Sequence, residues 1–320
     1  MQTYPHSVEL EDRPCPNGCD RADEKVLEGF DRLHQVPGKF AVVRCQHCQL
    51  MRTNPRPTSG TIAAYYPSDY GPYQDDAVSH AQPAGPLRTA LEKLLGLQQR
   101  RLPPITPGRL LEVGCASGQY LLAAKLAGWQ VEGIEFSAAA ASNARQKGLP
   151  VQTATIDTAT PPQGAVDVVA AWMVLEHLHE PVKSLQRLRS WVKDDGYLVA
   201  SVPDASSWDM RFFKGNWYAL QVPTHLFHYT PDSLTETLAK GGWQLDHVTW
   251  QRNSLNLLHS LEAVCSQKNW ALVLRFVVWI RSAKKASKIR LLLGWILGNL
   301  RQSGRMEIRA RPIPLEKTER

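Results

Sequence analysis

The chain has 320 residues, 43% of them apolar and 21% charged, with a mean hydropathy of −0.31. This excludes a multi-span membrane protein and a wholly disordered chain, and the length holds two domains and a tail. The net charge of +7 is unevenly placed: residues 265–320 hold 13 Lys and Arg against 3 Asp and Glu, while the preceding 264 residues hold 24 against 27. A slightly acidic body argues against a nucleic-acid enzyme, whose cationic side chains spread over the active face, and a basic tail points to an anionic partner for that tail.

The first residues, MQTYPHSVELEDRPCP, carry acidic groups and no apolar run, which does not read as a signal peptide. The expected compartment is the cytoplasm, where six cysteines read as thiols or metal ligands rather than disulfides. Four of them fall into two knuckles, Cys15-Pro16-Asn17-Gly18-Cys19 and Cys45-Gln46-His47-Cys48. Two such knuckles supply a tetrahedral thiolate site, so Cys15, Cys19, Cys45 and Cys48 are the expected ligands of a structural Zn2+, with His47 in reserve. A metal would also explain how a segment with so little apolar material stays folded. A redox CxxC pair or unrelated thiols are the competing readings.

A Tyr- and Pro-rich stretch follows, containing Tyr65, Tyr66 and Tyr70, then a polar linker at 74–86 and an expected helix at 87–101, closed by Pro103, Pro104 and Pro107. From residue 109 strands and helices alternate. Strands are expected at 109–113, 130–135, 151–155, 165–171 and 197–202, and helices at 119–127, 138–147, 182–192 and 231–240. Further strands are expected at 243–250 and 305–311. The apolar strands lack polar alternation, as strands covered on both faces do, and repeated βα units imply an α/β, doubly wound sheet of seven strands.

The run Leu110-Leu111-Glu112-Val113-Gly114-Cys115-Ala116-Ser117-Gly118 takes an apolar strand through a glycine turn into a helix. A ligand then lies beyond the carboxyl ends of the strands, beside the helix N-terminus. The spacing is neither G-x-G-x-x-G nor a P-loop. Glu112 at the loop entrance suits a cationic ligand, and Glu135 at the end of the second strand suits ribose hydroxyls. A strand–turn–helix also serves as a plain βα connection; the two carboxylates at matched spacing favour a ligand site.

These residues resemble the class I S-adenosylmethionine-dependent methyltransferases over residues 109–250. Val166-Asp167-Val168-Val169, Leu175-Glu176-His177-Leu178-His179-Glu180-Pro181 and Asp195-Gly196-Tyr197-Leu198 extend the likeness. The resemblance implies a Rossmann-like fold with S-adenosylmethionine as cofactor. It implies that Gly114, Cys115, Ala116 and Gly118 border the methionine part, with Glu112 in the same cofactor site, that Glu135 holds the ribose, and that Phe136 lies beside the adenine. Thr155, Ile156 and Asp157 would edge the adenine, and Ala171, Trp172 and Met173 would underlie the sulfonium. Tyr65, Tyr66 and Tyr70 either close over the donor or pack the head against the core. The cysteine quartet with the tyrosines is similar to bacterial methyltransferases with a zinc-binding head, associated with glycan and sugar methylation.

Methyl transfer requires positioning and, for some acceptors, removal of a proton. The candidate catalytic groups are Glu176 and His177, after the fourth strand, and His225, after the fifth, in the aromatic run from Trp217 to Tyr229. Each has a structural alternative, as a helix cap or a backbone-bonded core histidine. The aromatic content suits a saccharide acceptor, nucleotide- or lipid-linked. Methylation of ribosomal or transfer RNA and a non-catalytic binding protein of the same fold are the alternatives.

Residues 255–301 interrupt the last two strands with apolar helical segments at 270–280 and 289–300 around the basic run 281–290. Neither segment reaches the roughly 20 residues of a membrane span. Tryptophans beside Lys and Arg suit an interfacial hairpin over residues 269–300, at the inner face of the membrane; a lid or dimer contact is the alternative. The chain thus divides into a zinc-binding head (1–60), a Tyr-rich linker and helix (61–104), the core (105–254), a basic amphipathic insertion (255–302), and a last strand with tail (303–320).

Overall fold

A computed structural model describes residues 8–66 and 99–314. The core is a seven-stranded mixed sheet. Its strands are β6 (Arg109–Val113), β7 (Gln130–Glu135), β8 (Val151–Thr153), β9 (Val166–Trp172), β10 (Val192–Pro203), β12 (Trp243–Trp250) and β13 (Arg305–Pro312), in the order β12-β13-β10-β9-β6-β7-β8. β6 pairs in parallel with β7 and β9, and β9 with β10, while β13 inserts antiparallel between β10 and β12. All seven expected strands are present. The helices between them are α1 (Gln119–Leu126), α2 (Ala138–Gln146), α3 (Pro181–Trp191), α4 (Trp208–Phe213) and α5 (Pro231–Lys240).

Residues of successive strands alternate between two cores, one on each face. Leu111, Val113, Val169 and Ala171 join one cluster, and Leu110, Val168 and Ala170 the other. Burial on both faces is why these strands read as continuous apolar runs. Asp167, the one acid of β9, sits at the amino end of that strand. It accepts the Arg109 amide at 2.7 Å and pairs with Lys193 at 2.6 Å, so it stitches three strands together at the rim opposite the glycine loop. Thr230 opens α5 as expected, with a reciprocal box in which Thr230 Oγ1 accepts the Ser233 amide.

The head holds strands that composition did not announce: β1 (Leu10–Glu11), β2 (Asp23–Phe30), β3 (Lys39–Cys45), β4 (Met51–Thr53) and β5 (Arg56–Pro57). Its main sheet has the order β11-β4-β3-β2, and β11 is Phe227–His228, a segment of the core. The head therefore borrows a strand from the far side of the core sequence. Thr53 deepens the joint: its amide donates to the Leu226 carbonyl at 2.9 Å and its hydroxyl to the His225 carbonyl at 2.8 Å. Arg13 pairs with Glu180, and His179 Nε2 donates to the Pro57 carbonyl at 3.1 Å.

The insertion comprises α6 (Leu255–Gln267), α7 (Ala271–Ser282) and α8 (Ser287–Asn299). The two apolar segments at 270–280 and 289–300 are α7 and α8; α6 is an additional helix. Among the described residues no helix is long and apolar enough to cross a membrane. Most of the expected helix at 87–101 lies outside the described residues, and 99–101 are not helical.

Candidate functional site

The glycine loop leaves β6 with Gly114 at φ +67°, Ala116 at +47° and Gly118 at +79°, a left-handed run that glycine adopts at least cost. A side chain at 114 would meet Val174 Cγ2 at 2.7 Å, and one at 118 would meet Leu149 Cδ1 at 2.5 Å. Gly118 thus serves helix packing as well as the turn. Glu135, at the end of β7, turns its carboxylate back onto this loop. It accepts the Ala116 amide at 2.9 Å and the Ser137 amide at 2.8 Å. Its expected hold on a ribose accordingly falls to the lone pairs these amides leave. Burial raises its pKa above the usual carboxylate value, against the lowering by those amides.

Glu112 is buried, and burial pushes its carboxyl up to about 8. Its Oε2, the Tyr120 hydroxyl and the Trp172 Nε1 are all buried without a hydrogen-bond partner, and the Tyr120 and Trp172 rings meet at 5.3 Å. Three orphaned polar atoms at the carboxyl ends of β6 and β9 and the start of α1 are costly unless a polar ligand meets them. An amino-acid moiety bearing an ammonium fits that set. Tyr120 went unmarked in the sequence; its place in the first turn after the loop was the available signal.

Phe136 is half exposed beside this loop, and Cys115 is buried. Ala171 is buried in the sheet, and Met173 stands at φ +58°, its amide donating to the Ser201 carbonyl at 2.9 Å. Thr155 and Asp157 are exposed after β8, and Ile156 between them is buried in the core.

Tyr66 extends this row. Its ring stands edge-on to Phe136 at 5.7 Å, and its hydroxyl lies 2.9 Å from His177 Nδ1. Tyr65, by contrast, is fully buried in the head against Phe40, with its hydroxyl donating to the Pro37 carbonyl at 2.9 Å, so it packs the head and does not close over a ligand. Tyr70 lies outside the described residues.

Past Tyr66, Glu176, His177 and His225 come together, with one ligand atom from each within 4.8 Å of the others. The two imidazoles meet nearly at right angles, 4.7 Å apart. His177 Nδ1 lies 2.8 Å from the Thr224 carbonyl and His225 Nδ1 2.8 Å from the Ala219 carbonyl. A carbonyl only accepts, so both Nδ1 atoms carry the proton and each Nε2 keeps a lone pair. Burial depresses His177 to about 4 and His225 well below its ordinary value, so both are neutral at pH 7. Glu176 is fully buried, neither carboxyl oxygen has a partner, and burial pushes it up to about 8. His228, beyond them, is also buried, with Nε2 3.3 Å from Thr53 Oγ1. The three candidate catalytic residues are thus brought together, although two follow β9 and the third follows β10 by more than a helix.

The sulfurs of Cys15, Cys19, Cys45 and Cys48 gather within 4.8 Å, with Cys15 and Cys48 at 3.4 Å. His47 is exposed and stands outside the group. Burial pushes Cys19 up to about 11, whereas at Cys45 the amides of Cys48 and His47 outweigh burial and lower the thiol. Four converging sulfurs on two turns are the donor set of a closed tetrahedral site.

A doubly wound sheet with strand order 3-2-1-4-5-7-6, a glycine turn after its first strand and an acid ending its second define an S-adenosylmethionine-dependent methyltransferase. Residues 86–248, half of the chain, match the family model for a methyltransferase domain, and the chain belongs to that family. No curated protein matches it. Among solved structures it is similar to an S-adenosylmethionine-dependent methyltransferase from Mesorhizobium loti, with 16% identity, TM-score 0.46 and coverage of 71% of this chain and 98% of that one. An O-methyltransferase of a trans-AT PKS multienzyme of Brevibacillus brevis gives 12%, 0.45, 70% and 72%. Magnesium protoporphyrin IX methyltransferase from Synechocystis gives 19%, 0.37, 44% and 67%.

Proposed function

We propose that this methyltransferase acts on a hydroxyl of a saccharide carried on a nucleotide or a lipid, with zinc holding its head together. The observation that carries the reading is the constellation of Glu176, His177 and His225, which Tyr66 joins to the donor loop through Phe136. Glu112, Tyr120 and Trp172 would hold the amino-acid end of S-adenosylmethionine, Glu135 its ribose and Phe136 its adenine. The bound donor supplies an electrophilic methyl on a sulfonium. The chain's own part is to fix the acceptor in line and to exclude water. A body slightly acidic over residues 1–264, with 24 Lys and Arg against 27 Asp and Glu, suits a neutral acceptor better than a phosphate backbone.

The surface of the insertion supports a lipid-linked acceptor. Trp270, Leu272, Phe276, Trp279, Leu291, Leu292 and Trp295 are exposed large apolar side chains, and Arg275, Lys284, Lys285 and Lys288 are exposed among them. Apolar anchors beside cations match the interface of an anionic bilayer, where each basic residue adds about 1 kcal/mol. The test is a methylation assay with donor carrying a labelled methyl on fractionated cell extract. Label in the carbohydrate or glycolipid fraction is expected; label confined to RNA or protein overturns the reading.

A further inference from the structure

We propose that Glu176, His177 and His225 form a divalent transition-metal site, separate from the cysteine quartet, that would coordinate the acceptor's oxygens. Two imidazoles and one carboxylate are the donor set of an open site for metals such as Mn2+, Fe2+ or Co2+, which leaves positions for substrate. The two histidines are prepared as ligands are: each donates Nδ1–H to a backbone carbonyl, at 2.8 Å in both cases, which fixes the ring and turns the lone pair to Nε2.

The independent observation is the Glu176 carboxyl. It is fully buried and neither oxygen has a hydrogen-bond partner. A carboxyl buried without a partner is costly, and a cation shared with the imidazoles removes that cost. The ligand atoms already lie within 4.8 Å of one another; bonds of about 2.0–2.2 Å need them to close by a further ångström or so. The site is legible in sequence only as Glu-His followed 48 residues later by His, since the fold, not local spacing, joins them.

The role toward the acceptor rests on the methyltransferase reading above; cation binding itself does not. Mn2+ is the probe, because it prefers oxygen and nitrogen to the thiolates of the head. The full, zinc-loaded chain is titrated with Mn2+ alone, without donor or acceptor, and free Mn2+ is counted by electron paramagnetic resonance. One saturable Mn2+ per chain is expected. Glu176→Gln and His225→Gln should each weaken it by more than the roughly 10–100-fold that loss of a ligand's own hydrogen-bond partner costs, with donor binding by calorimetry retained as proof of folding. A crystal of the unaltered protein soaked in Mn2+ should show its anomalous peak between Glu176, His177 and His225. No saturable binding, a peak elsewhere, or undiminished binding in both variants overturns the site. Label entering carbohydrate without Mn2+ binding would remove the metal and leave the acceptor reading, and the converse result would do the reverse.

Discussion

Glu112 should make donor binding dependent on pH, in a direction that follows from its surroundings. Burial holds its carboxyl neutral up to about pH 8, with Glu135 adding to the effect and Arg100 opposing it. A cationic donor binds the ionised form, so apparent affinity scales with the ionised fraction. That fraction is about 1% at pH 6, about 10% at pH 7 and about half at pH 8, which makes affinity rise about fiftyfold between pH 6 and 8 and then level off. Binding should release about one proton per donor over the lower part of that range. Calorimetry from pH 6 to 9 in buffers of different ionisation enthalpy measures both quantities. Glu112→Gln cannot ionise, and should abolish the slope and the proton release together. The donor's own amino group titrates near the top of the range, and the comparison with Glu112→Gln removes its contribution. A flat profile without proton release in the unaltered protein would refute the reasoning.

The same carboxyl affects stability. Its folded pKa lies above the unfolded 4.5, so the donor-free protein should lose stability as pH rises from about 4.5 to about 8, at up to about 1.4 kcal/mol per pH unit; thermal melts should show this slope reduced in Glu112→Gln. Cys45→Ser should bring zinc content to zero, measured by mass spectrometry, and should speed amide exchange at residues 225–228, because Thr53 and β4 hold that segment; unchanged exchange would show that the quartet does not support the histidines. Liposomes containing anionic lipid should co-sediment the protein at low salt and release much of it at high salt, and the double change Lys284→Glu and Lys285→Glu should weaken pelleting several-fold. Pelleting indifferent to lipid charge would remove the basic cluster from the account.

The core was legible because burial on both faces writes itself as Val168-Val169-Ala170-Ala171 and Leu110-Leu111, and because a glycine turn needs glycine where φ is positive. The head was legible only in its sulfurs. β2, Asp23-Glu24-Lys25-Val26-Leu27-Glu28-Gly29-Phe30, has only one buried residue, and four acids and bases in eight residues give no alternation to read. α6 escaped for another reason: its start rests on a local side-chain contact, Asn253 Oδ1 accepting the Leu255 amide at 2.8 Å. In the site, motif spacing singled out the glycine loop and its two acids, but the meetings of Tyr66 with His177, of Tyr120 with Trp172 and of Glu176 with His225 depend on tertiary contacts that no local pattern encodes.

The strand that Phe227 and His228 lend to the head sets an order of events during synthesis. A ribosome delivers the cysteine quartet first, yet the outer edge of Met51–Thr53 waits for its neighbour until more than 170 further residues have emerged, including five strands of the large sheet. In that interval the nascent amino-terminal unit carries an unpaired border, open to illegitimate pairing with other chains. Early metal capture would keep the unit compact through the delay, so a cell starved of zinc should accumulate this protein as aggregate rather than as inactive monomer.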